Sequence, residues 1–185
     1  MIRLEYFTSS DFDQLINWID SPHLRMNWSG PMFNFPLNHE KLAWYLQDTN
    51  ELSSSDVFVF KAIDTTTEMV VGHISLGSIS QKNRAARVSR VFIDPQQRGR
   101  GLAARMLTEV LRFGFEELGL HRIALGVYSF NEAAIRAYTR AGMQREGCSR
   151  DVLRYEDEYW SLVEMSMLQP EWRALHPVRV AEATA

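Results

Sequence analysis

The chain has 185 residues, of which 45% are hydrophobic and 23% are charged, and its formal net charge at pH 7 is −3. This size and composition are typical of an ordinary globular domain and exclude a largely disordered protein. The acidic balance excludes a general electrostatic attraction to nucleic acid or to an anionic membrane, so any anion must be bound by a local arrangement of residues.

The N-terminal part of the chain predicts one strand followed by two helices. Residues 2–7 have the pattern of a short strand, and the polar residues 8–11 precede an apolar helical repeat that ends at Pro22. Residues 27–37 are rich in Trp, Phe, Gly and Pro, which is typical of an ordered loop. Asn38 stands where it would cap the second helix.

Three antiparallel strands are predicted in the middle of the chain. Residues 57–63 and 69–76 are joined by a polar turn and form a hairpin, and residues 86–93 form the third strand. Asp94 and Pro95 end this strand, because proline has no N–H group to continue the ladder.

The C-terminal part returns to alternating helices and strands. Apolar residues at helical spacing predict the longest helix from Leu102 to Leu118. A strand at residues 121–127, a helix capped by Asn131 and a hairpin that ends with a strand at residues 159–168 complete the pattern.

The order of these elements predicts a single domain of the α+β (mixed α/β) class, which covers residues 1–168. No internal repeat and no flexible linker divides it. Residues 169–185 have little pattern, and we expect them to form a loosely held C-terminal tail.

Cysteine content and hydropathy bear on the compartment. Cys148 is the only cysteine, which excludes an internal disulfide and a cysteine-based zinc site and fits a reducing environment. The N-terminal residues lack the layout of a signal peptide, and no apolar run approaches the ~20 residues that span a bilayer. We therefore expect a cytoplasmic protein with no membrane partner, no nucleic-acid partner and no metal.

The most informative stretch joins the strand that ends at Ile93 to the helix that begins at Leu102. Gly99 and Gly101 lack Cβ atoms, so the backbone can curl and direct several N–H groups at one anion, and the helix N-terminus adds further donors and a positive dipole end. Glycines that merely form the turn are the alternative. A dinucleotide-binding fingerprint is disfavoured because Ala104 replaces its third glycine, and the Gly-Lys-Ser/Thr of a nucleotide-triphosphate loop is missing.

Two motifs give the chain a resemblance to a known family. Residues 96–101, Gln-Gln-Arg-Gly-Arg-Gly, match the Gln/Arg-x-x-Gly-x-Gly/Ala hallmark of the GNAT superfamily of N-acetyltransferases. Residues 131–143 match its second hallmark, an Asn followed by a short helix with a Tyr and then a Gly. The likeness extends over residues 2–168, and the closing hairpin resembles the subgroup that includes ribosomal-protein N-acetyltransferases.

The resemblance implies a fold and a cofactor. The fold would be a central mixed, mostly antiparallel sheet with splayed central strands flanked by helices. Acetyl-CoA would be bound as co-substrate, with its pyrophosphate on backbone N–H groups of residues 98–102 and its pantetheine arm on the unpaired edge of residues 91–93. The cofactor-binding residues would be Val91, Phe92, Ile93, Gln96, Arg98, Gly99, Arg100, Gly101, Leu102, Ala103 and Asn131.

The resemblance also implies catalytic roles. Tyr138 would donate a proton to the departing thiolate, although its place on a helix face also suits an ordinary packing residue. Asn131 has two compatible roles, as a helix cap and as a cofactor contact. Many relatives carry a Glu before the phosphate turn, but residues 81–93 contain no acidic residue. His73 is the remaining candidate for general base, and a structural role is its alternative.

The function that this resemblance implies is acetyl transfer from acetyl-CoA to a primary amine by direct attack in a ternary complex. A non-catalytic acetyl-CoA sensor or interaction module is the alternative. The acceptor stays open between a small-molecule amine and a protein N-terminus, as does the assembly state, a homodimer included. The aromatic residues 28–36 suit either the wall of an acceptor groove or a satellite core beneath a loop.

Overall fold

A seven-stranded mixed sheet forms the centre of the computed structural model, which describes residues 1–177. The strands are β1 (Ile2–Tyr6), β2 (Phe58–Asp64), β3 (Met69–Ser80), β4 (Ala85–Ile93), β5 (Arg122–Tyr128), β6 (Gln144–Tyr155) and β7 (Glu158–Leu168). Their order in the sheet is β1-β2-β3-β4-β5-β7-β6. Only the central pair β4 and β5 is parallel, and the other neighbours are antiparallel, as the predicted fold class requires.

Helices cover both faces of this sheet. They are α1 (Phe12–Trp18), α2 (Pro22–Ser29), α3 (His39–Tyr45), α4 (Leu102–Arg112), α5 (Glu132–Arg140) and α6 (Gln169–Leu175). Short 3₁₀ turns lie at Ser9–Asp11, Gly30–Met32 and Pro95–Gln97, and a π-helical turn at Phe113–Glu117 extends α4. None of the helices within residues 1–177 is long and apolar enough to cross a membrane.

The sheet separates two apolar clusters. On one face α4 buries Met106 and Val110, which are four residues apart and so lie on the same side of the helix. On the other face lie the aromatic-rich residues of α1, α2 and α3, and we call this group the aromatic cluster: Phe7, Phe12, Leu15, Ile19, Trp28, Phe33, Leu37, Leu42, Tyr45, Val59 and Phe92. Since neighbouring residues of a strand face opposite sides, Phe92 joins the aromatic cluster while Val91 and Ile93 pack against the α4 side.

The predicted helix caps are confirmed. The side chain of Asn38 accepts a hydrogen bond from the Lys41 amide at 3.0 Å, and that of Asn131 accepts one from the Ala134 amide at 3.2 Å. Each asparagine thereby satisfies a donor that the first turn of its helix leaves free.

The predicted loop at residues 27–37 is wrong in its first part, because α2 extends to Ser29. Pro22 ends the preceding helical repeat, as predicted, but it also occupies the first turn of α2, where its missing N–H group costs nothing. Ser21 caps this helix by accepting a hydrogen bond from the Leu24 amide at 3.3 Å.

The expected loose tail is also wrong for its first residues, which form α6. Trp172 is only 3% exposed, and its indole N–H donates to the Glu116 carboxylate at 3.0 Å. Its ring stacks on Phe115 with 5.7 Å between the ring centroids. One buried aromatic residue anchors this helix of seven residues, so the sequence has no periodic apolar pattern to reveal it. The remainder of the predicted tail, residues 178–185, lies outside the described residues.

The splay of the central strands, which the resemblance implied, is present. The ladder between β4 and β5 runs from the pair Ala85 and Arg122 to the pair Val88 and Leu125 and ends there. Beyond it, the register of β4 against β3 shifts, and Arg90 adopts a positive φ of 53°. A bulge of this kind bends its strand, so the last residues of β4 diverge from β5.

Candidate active site

The turn between β4 and α4 is shaped to receive an anion. Gly99 and Gly101 have φ values of 80° and 72°, which L-residues with side chains rarely adopt. A Cβ atom built on either glycine would meet no other atom within 4 Å, so the space above the turn is open. Gly101 is the N-cap of α4 and offers no side chain to the first turn, which leaves the free N–H groups and the positive dipole end directed at that space.

A cleft of about 500 Å³ lies between this turn, the end of β4 and helix α5. Nine of the predicted cofactor residues line it: Val91, Phe92, Ile93, Arg98, Gly99, Gly101, Leu102, Ala103 and Asn131. The cleft therefore brings together the two sequence motifs, which are about thirty residues apart in the chain.

Gln96 and Arg100 are the two predicted cofactor residues that do not line the cleft. The Arg100 guanidinium points to the β2–β3 turn, where it pairs with the Asp64 carboxylate at 2.8 Å. The amide of Gln96 donates to the Asp94 side chain at 2.9 Å, so this residue shapes the turn. Their predicted role as cofactor contacts finds no support in the positions of their side chains.

Several residues of the cleft were missed by sequence reasoning. Ala133, Ala134 and Ala137 line it from α5, where their small side chains leave room between the helix and β4. Alanines spaced three and four residues apart share one face of a helix, and this spacing is visible in the sequence and could have predicted a narrow helix face beside a cleft. Segments without such a signal contributed Leu24, Asn27 and Phe130. Gln97 and Arg140 lie within the two hallmark motifs, and Trp28 belongs to the aromatic segment already considered as a groove wall.

A second, smaller cavity of about 70 Å³ occupies the gap between the diverging strands. Its walls include residues 88–91 of β4 and residues 125–128 of β5. We call it the inter-strand gap. The two cavities meet at the five residues that line both of them, namely Asn27, Trp28, Val91, Asn131 and Tyr138. Unpaired strand edges that face a gap can bind the polar backbone-like groups of an extended ligand.

Tyr138 lies at the junction of the two cavities. The residue is 6% exposed, and burial raises the pKa of its phenol, so the hydroxyl stays protonated at neutral pH. Within residues 1–177 this hydroxyl has no hydrogen-bond partner, yet it is not among the polar atoms sealed from solvent. The phenol is therefore a free donor at the junction.

His73 does not fit the predicted role of general base. It is 1% exposed, its Nε2 lies 3.3 Å from the Tyr45 hydroxyl, and its Nδ1 is sealed without a hydrogen-bond partner in the described chain. Burial and the nearby Arg90 charge lower the pKa of His73 to about 3, so it is a very weak base. The alternative, a structural histidine of the aromatic cluster, agrees with its edge-on contacts with Phe7 and Trp28.

The aromatic segment 28–36 contributes to both a wall and a core. Trp28 lines the cleft and the inter-strand gap, and its indole N–H donates to the Arg90 carbonyl at 3.0 Å. Phe33 is 3% exposed and stacks on Trp28 with 5.8 Å between ring centroids. The segment thus holds the bulge of β4 in place from within the aromatic cluster.

The comparisons with known proteins agree with this geometry. The family model described as acetyltransferase (GNAT) domain matches residues 2–144. The prophage-derived uncharacterized N-acetyltransferase YokL of Bacillus subtilis is 28% identical over 170 residues, which cover 92% of this chain and 86% of that protein. The putative ribosomal N-acetyltransferase YdaF of the same organism is 33% identical over 101 residues, which cover 55% of each chain.

Polyamine acetyltransferases are also among the similar proteins. The spermidine N(1)-acetyltransferase of Escherichia coli is 30% identical over 105 residues, which cover 57% of this chain and 56% of that protein. The crystal structure of the Vibrio cholerae spermidine N-acetyltransferase in complex with CoA and spermine superposes with a TM-score of 0.79 at 22% identity, covering 92% of this chain and 97% of that one. This likeness establishes a shared fold.

Proposed function

The chain belongs to the GNAT acetyltransferase family, and from that premise we propose that it transfers an acetyl group from acetyl-CoA to a primary amine by direct attack in a ternary complex. It is an acyltransferase, and acetyl-CoA is its acetyl donor. The observation that carries the proposal is the junction at Tyr138, where a cleft shaped for a diphosphate and an extended arm meets a gap that opens towards the aromatic cluster.

In this proposal the cofactor lies along the larger cleft. Its pyrophosphate sits on the turn at Gly99 and Gly101, where the N–H groups of the first turn of α4 are free. Its pantetheine arm extends between β4 and the alanines of α5. The thioester then reaches the junction, where an unpaired N–H group of β4 polarises its carbonyl oxygen as an oxyanion donor.

The transfer itself requires a proton balance at the junction. The neutral amine attacks the thioester carbon, the C–N bond forms, and the C–S bond of the tetrahedral intermediate breaks. The phenol of Tyr138 gives its proton to the sulfur, and the proton that the nitrogen then loses restores the phenol, so the enzyme ends the cycle unchanged. Tyr138 is the group that we place at the sulfur, as a donor to the departing thiolate.

Direct attack is supported by the residues that line the cavities. Within residues 1–177 neither cavity is lined by a cysteine or a lysine that could carry the acetyl group. Cys148 is exposed on β6, away from both. The Ser89 hydroxyl lines the gap, but it is hydrogen-bonded to Ser75 and Arg90, and the described lining contains no histidine or carboxylate to deprotonate it for attack.

The described lining also contains no carboxylate and no histidine, so the acceptor must arrive as a free base. An α-amino group, with an ordinary pKa of about 8, supplies far more free base at neutral pH than an alkylamine with a pKa of about 10.4. The relatives named as spermidine acetyltransferases support a small-molecule amine as the acceptor class.

Initial-rate kinetics and protein mass together test this proposal. Varying acetyl-CoA and an accepted amine should give intersecting double-reciprocal lines, because both substrates must be bound before chemistry. Intact-protein mass spectrometry after incubation with acetyl-CoA alone should find no acetylated protein. Parallel lines together with an acetyl-enzyme that passes its group to the amine would contradict direct attack.

A further inference from the structure

Two arginines without carboxylate partners flank the Gly30–Met32 turn. The Arg25 guanidinium donates to the Gly30 carbonyl at 2.8 Å, and that of Arg90 contacts the Met32 sulfur at 2.6 Å. This turn lies beside the inter-strand gap, since a Cβ atom built on Gly30 would be 3.6 Å from the Tyr128 hydroxyl, and Tyr128 lines the gap. Arg90 lines the gap itself, and Arg25 holds the turn beside it, on the side from which an acceptor would reach the thioester.

Arg25 is buried without a carboxylate partner among the described residues, which is unusual for an arginine. It is 8% exposed, and its Nε is sealed with no hydrogen-bond partner among the residues described. Among residues 1–177, its charge is met only by the Gly30 carbonyl and the Met26 sulfur. No carboxylate of residues 1–177 lies within 4.0 Å of it.

Arg90 also has no carboxylate partner among the described residues, and its partly buried side chain lines the inter-strand gap. Its guanidinium donates to the hydroxyls of Ser89 at 2.9 Å and Ser75 at 3.3 Å and lies 4.8 Å from the centre of the Tyr45 ring. Its Nε is sealed without a partner within the described residues. Hydroxyls and a ring face hold the side chain in place, but they do not neutralise its charge.

Two of the three buried carboxylates in the described chain have a cationic partner, and the third, Asp94, accepts a hydrogen bond from the Gln96 amide. Buried Asp11 pairs with Lys61 at 3.0 Å, and buried Asp64 pairs with Arg100 at 2.8 Å. A buried charge without an opposite partner costs several kcal/mol, so the uncompensated Arg25 guanidinium is expensive unless a ligand supplies an anion, and the partly buried Arg90 adds a second positive charge at the same turn. Two such groups around one turn form a site for a planar or tetrahedral oxyanion.

We propose that the acceptor is an amine that also carries a carboxylate or a phosphate group, which Arg25 and Arg90 bind. This inference rests on the proposed acetyl transfer and adds the substrate class. Two fixed positive charges near the nitrogen favour its neutral form, which suits a site without a general base. The same charges repel a polyamine, so this chain differs from the spermidine acetyltransferases in its acceptor.

Matched acceptor pairs test the proposal on the wild-type protein. One arm compares each common α-amino acid with its own amide, and a second compares phosphoethanolamine with ethanolamine. Spermidine is the third arm. Thiol release gives kcat/KM, corrected for the free-base fraction of each amine, and we expect the anionic member of at least one pair to exceed its neutral partner and spermidine by at least about tenfold. A preference in the amino-acid pairs would identify the bound group as a carboxylate, and a preference for phosphoethanolamine would identify it as a phosphate.

Three variants complete the test. Arg25→Gln and Arg90→Gln should each reduce the preference for the anionic acceptor about tenfold, while Arg173→Gln, which removes an exposed arginine of α6, should leave it unchanged. Melting temperature and acetyl-CoA affinity identify any variant that fails to fold, and the wild-type comparison stands without them. An unchanged preference in both folded variants would overturn the proposal.

The outcomes also separate this inference from the proposed function. Acetylation of amides, ethanolamine or spermidine in preference to their anionic counterparts would overturn the inference and leave acetyl transfer intact. Acetyl-CoA binding without thiol release for any amine in any arm would instead overturn the proposed function, and the inference with it.

Discussion

The side of the candidate site that would bind acetyl-CoA, the donor side, consists mainly of backbone groups, whereas the side that would bind the amine, the acceptor side, consists mainly of side chains. On the donor side, backbone N–H groups and open space at Gly99 and Gly101 form the cradle, and alanines of α5 keep the cleft wide. On the acceptor side, large side chains fill the space, and Arg25 and Arg90 bring charge into an aromatic environment. The donor side thus depends on small or absent side chains, and the acceptor side depends on large aromatic and charged side chains.

Because of this difference, we expect the two sides to be sensitive to different kinds of mutation. Anion binding by backbone N–H groups is blocked by a side chain added at the glycines, but it depends little on which side chains the adjacent residues carry. A wall of side chains instead responds to the loss of a specific atom or charge. Each of the following variants removes or adds a single feature on one side and leaves the other side as it is.

The largest effect is expected at Gly101. Gly101→Val places a branched side chain in the open space that the diphosphate would fill, so acetyl-CoA affinity measured by calorimetry should fall by about 10²-fold or more. Gly119→Val is the matched control, because Gly119 also has a positive φ, 63°, and its added Cβ would meet only the end of the Arg84 side chain. Equal losses of affinity in the two variants would assign the effect to backbone strain instead of to the cradle.

A smaller effect is expected at the junction of the two sides. Tyr138→Phe keeps the buried ring and deletes only the free hydroxyl, so melting temperature and acetyl-CoA affinity should be nearly unchanged. The turnover number should fall by about 10- to 10²-fold, since a hydrogen bond to a charged group contributes about 1.5–3 kcal/mol. Tyr159→Phe, at an exposed tyrosine, is the control. Wild-type turnover when chemistry limits the rate would make Tyr138 a packing residue.

The smallest effect concerns the acceptor-side core and is a change of stability with pH. The pKa of His73 is about 3 in the folded chain and about 6.5 when unfolded, so the unfolded state binds more protons between these values. Stability is therefore complete above pH 6.5 and is lost as the pH falls, by about 2 kcal/mol at pH 5.

Thermal melts at pH 7 and pH 5 measure this loss. His73→Leu should reduce the difference between the two melting temperatures, whereas His121→Gln, at an exposed histidine, should not. The same pH dependence in wild type and His73→Leu would mean that His73 is accessible to protons, and it would again be a candidate for general base.

The contrast between the two sides also accounts for what the sequence could predict. Gly99, Gly101 and Asn131 were predicted because the backbone requires those residue types at those positions, and the requirement is visible within a few residues. The strands and the long helix followed from apolar periodicity in the same local way. The start of α2 was missed because Pro22 both ends one helix and begins the next.

The acceptor side has no comparable local signal. The Trp28 indole donates to the Arg90 carbonyl across 62 positions in the chain, and the Gly30 turn that Arg25 binds lies beside Tyr128. Such contacts depend on how the helices α1–α3 pack on the sheet, which no single stretch of sequence determines. His73 was misjudged for the same reason, because its burial is set by residues from three other segments.

Simultaneous measurement of both products tests the central claim most directly. The purified protein is incubated with acetyl-CoA and the amine panel, and free CoA thiol and acetylated amine are quantified in the same samples. Our account predicts equal amounts of the two products. Their formation should require both substrates, and Gly101→Val should greatly reduce it. Saturable binding of acetyl-CoA with no acetylated amine above the uncatalysed reaction would contradict it.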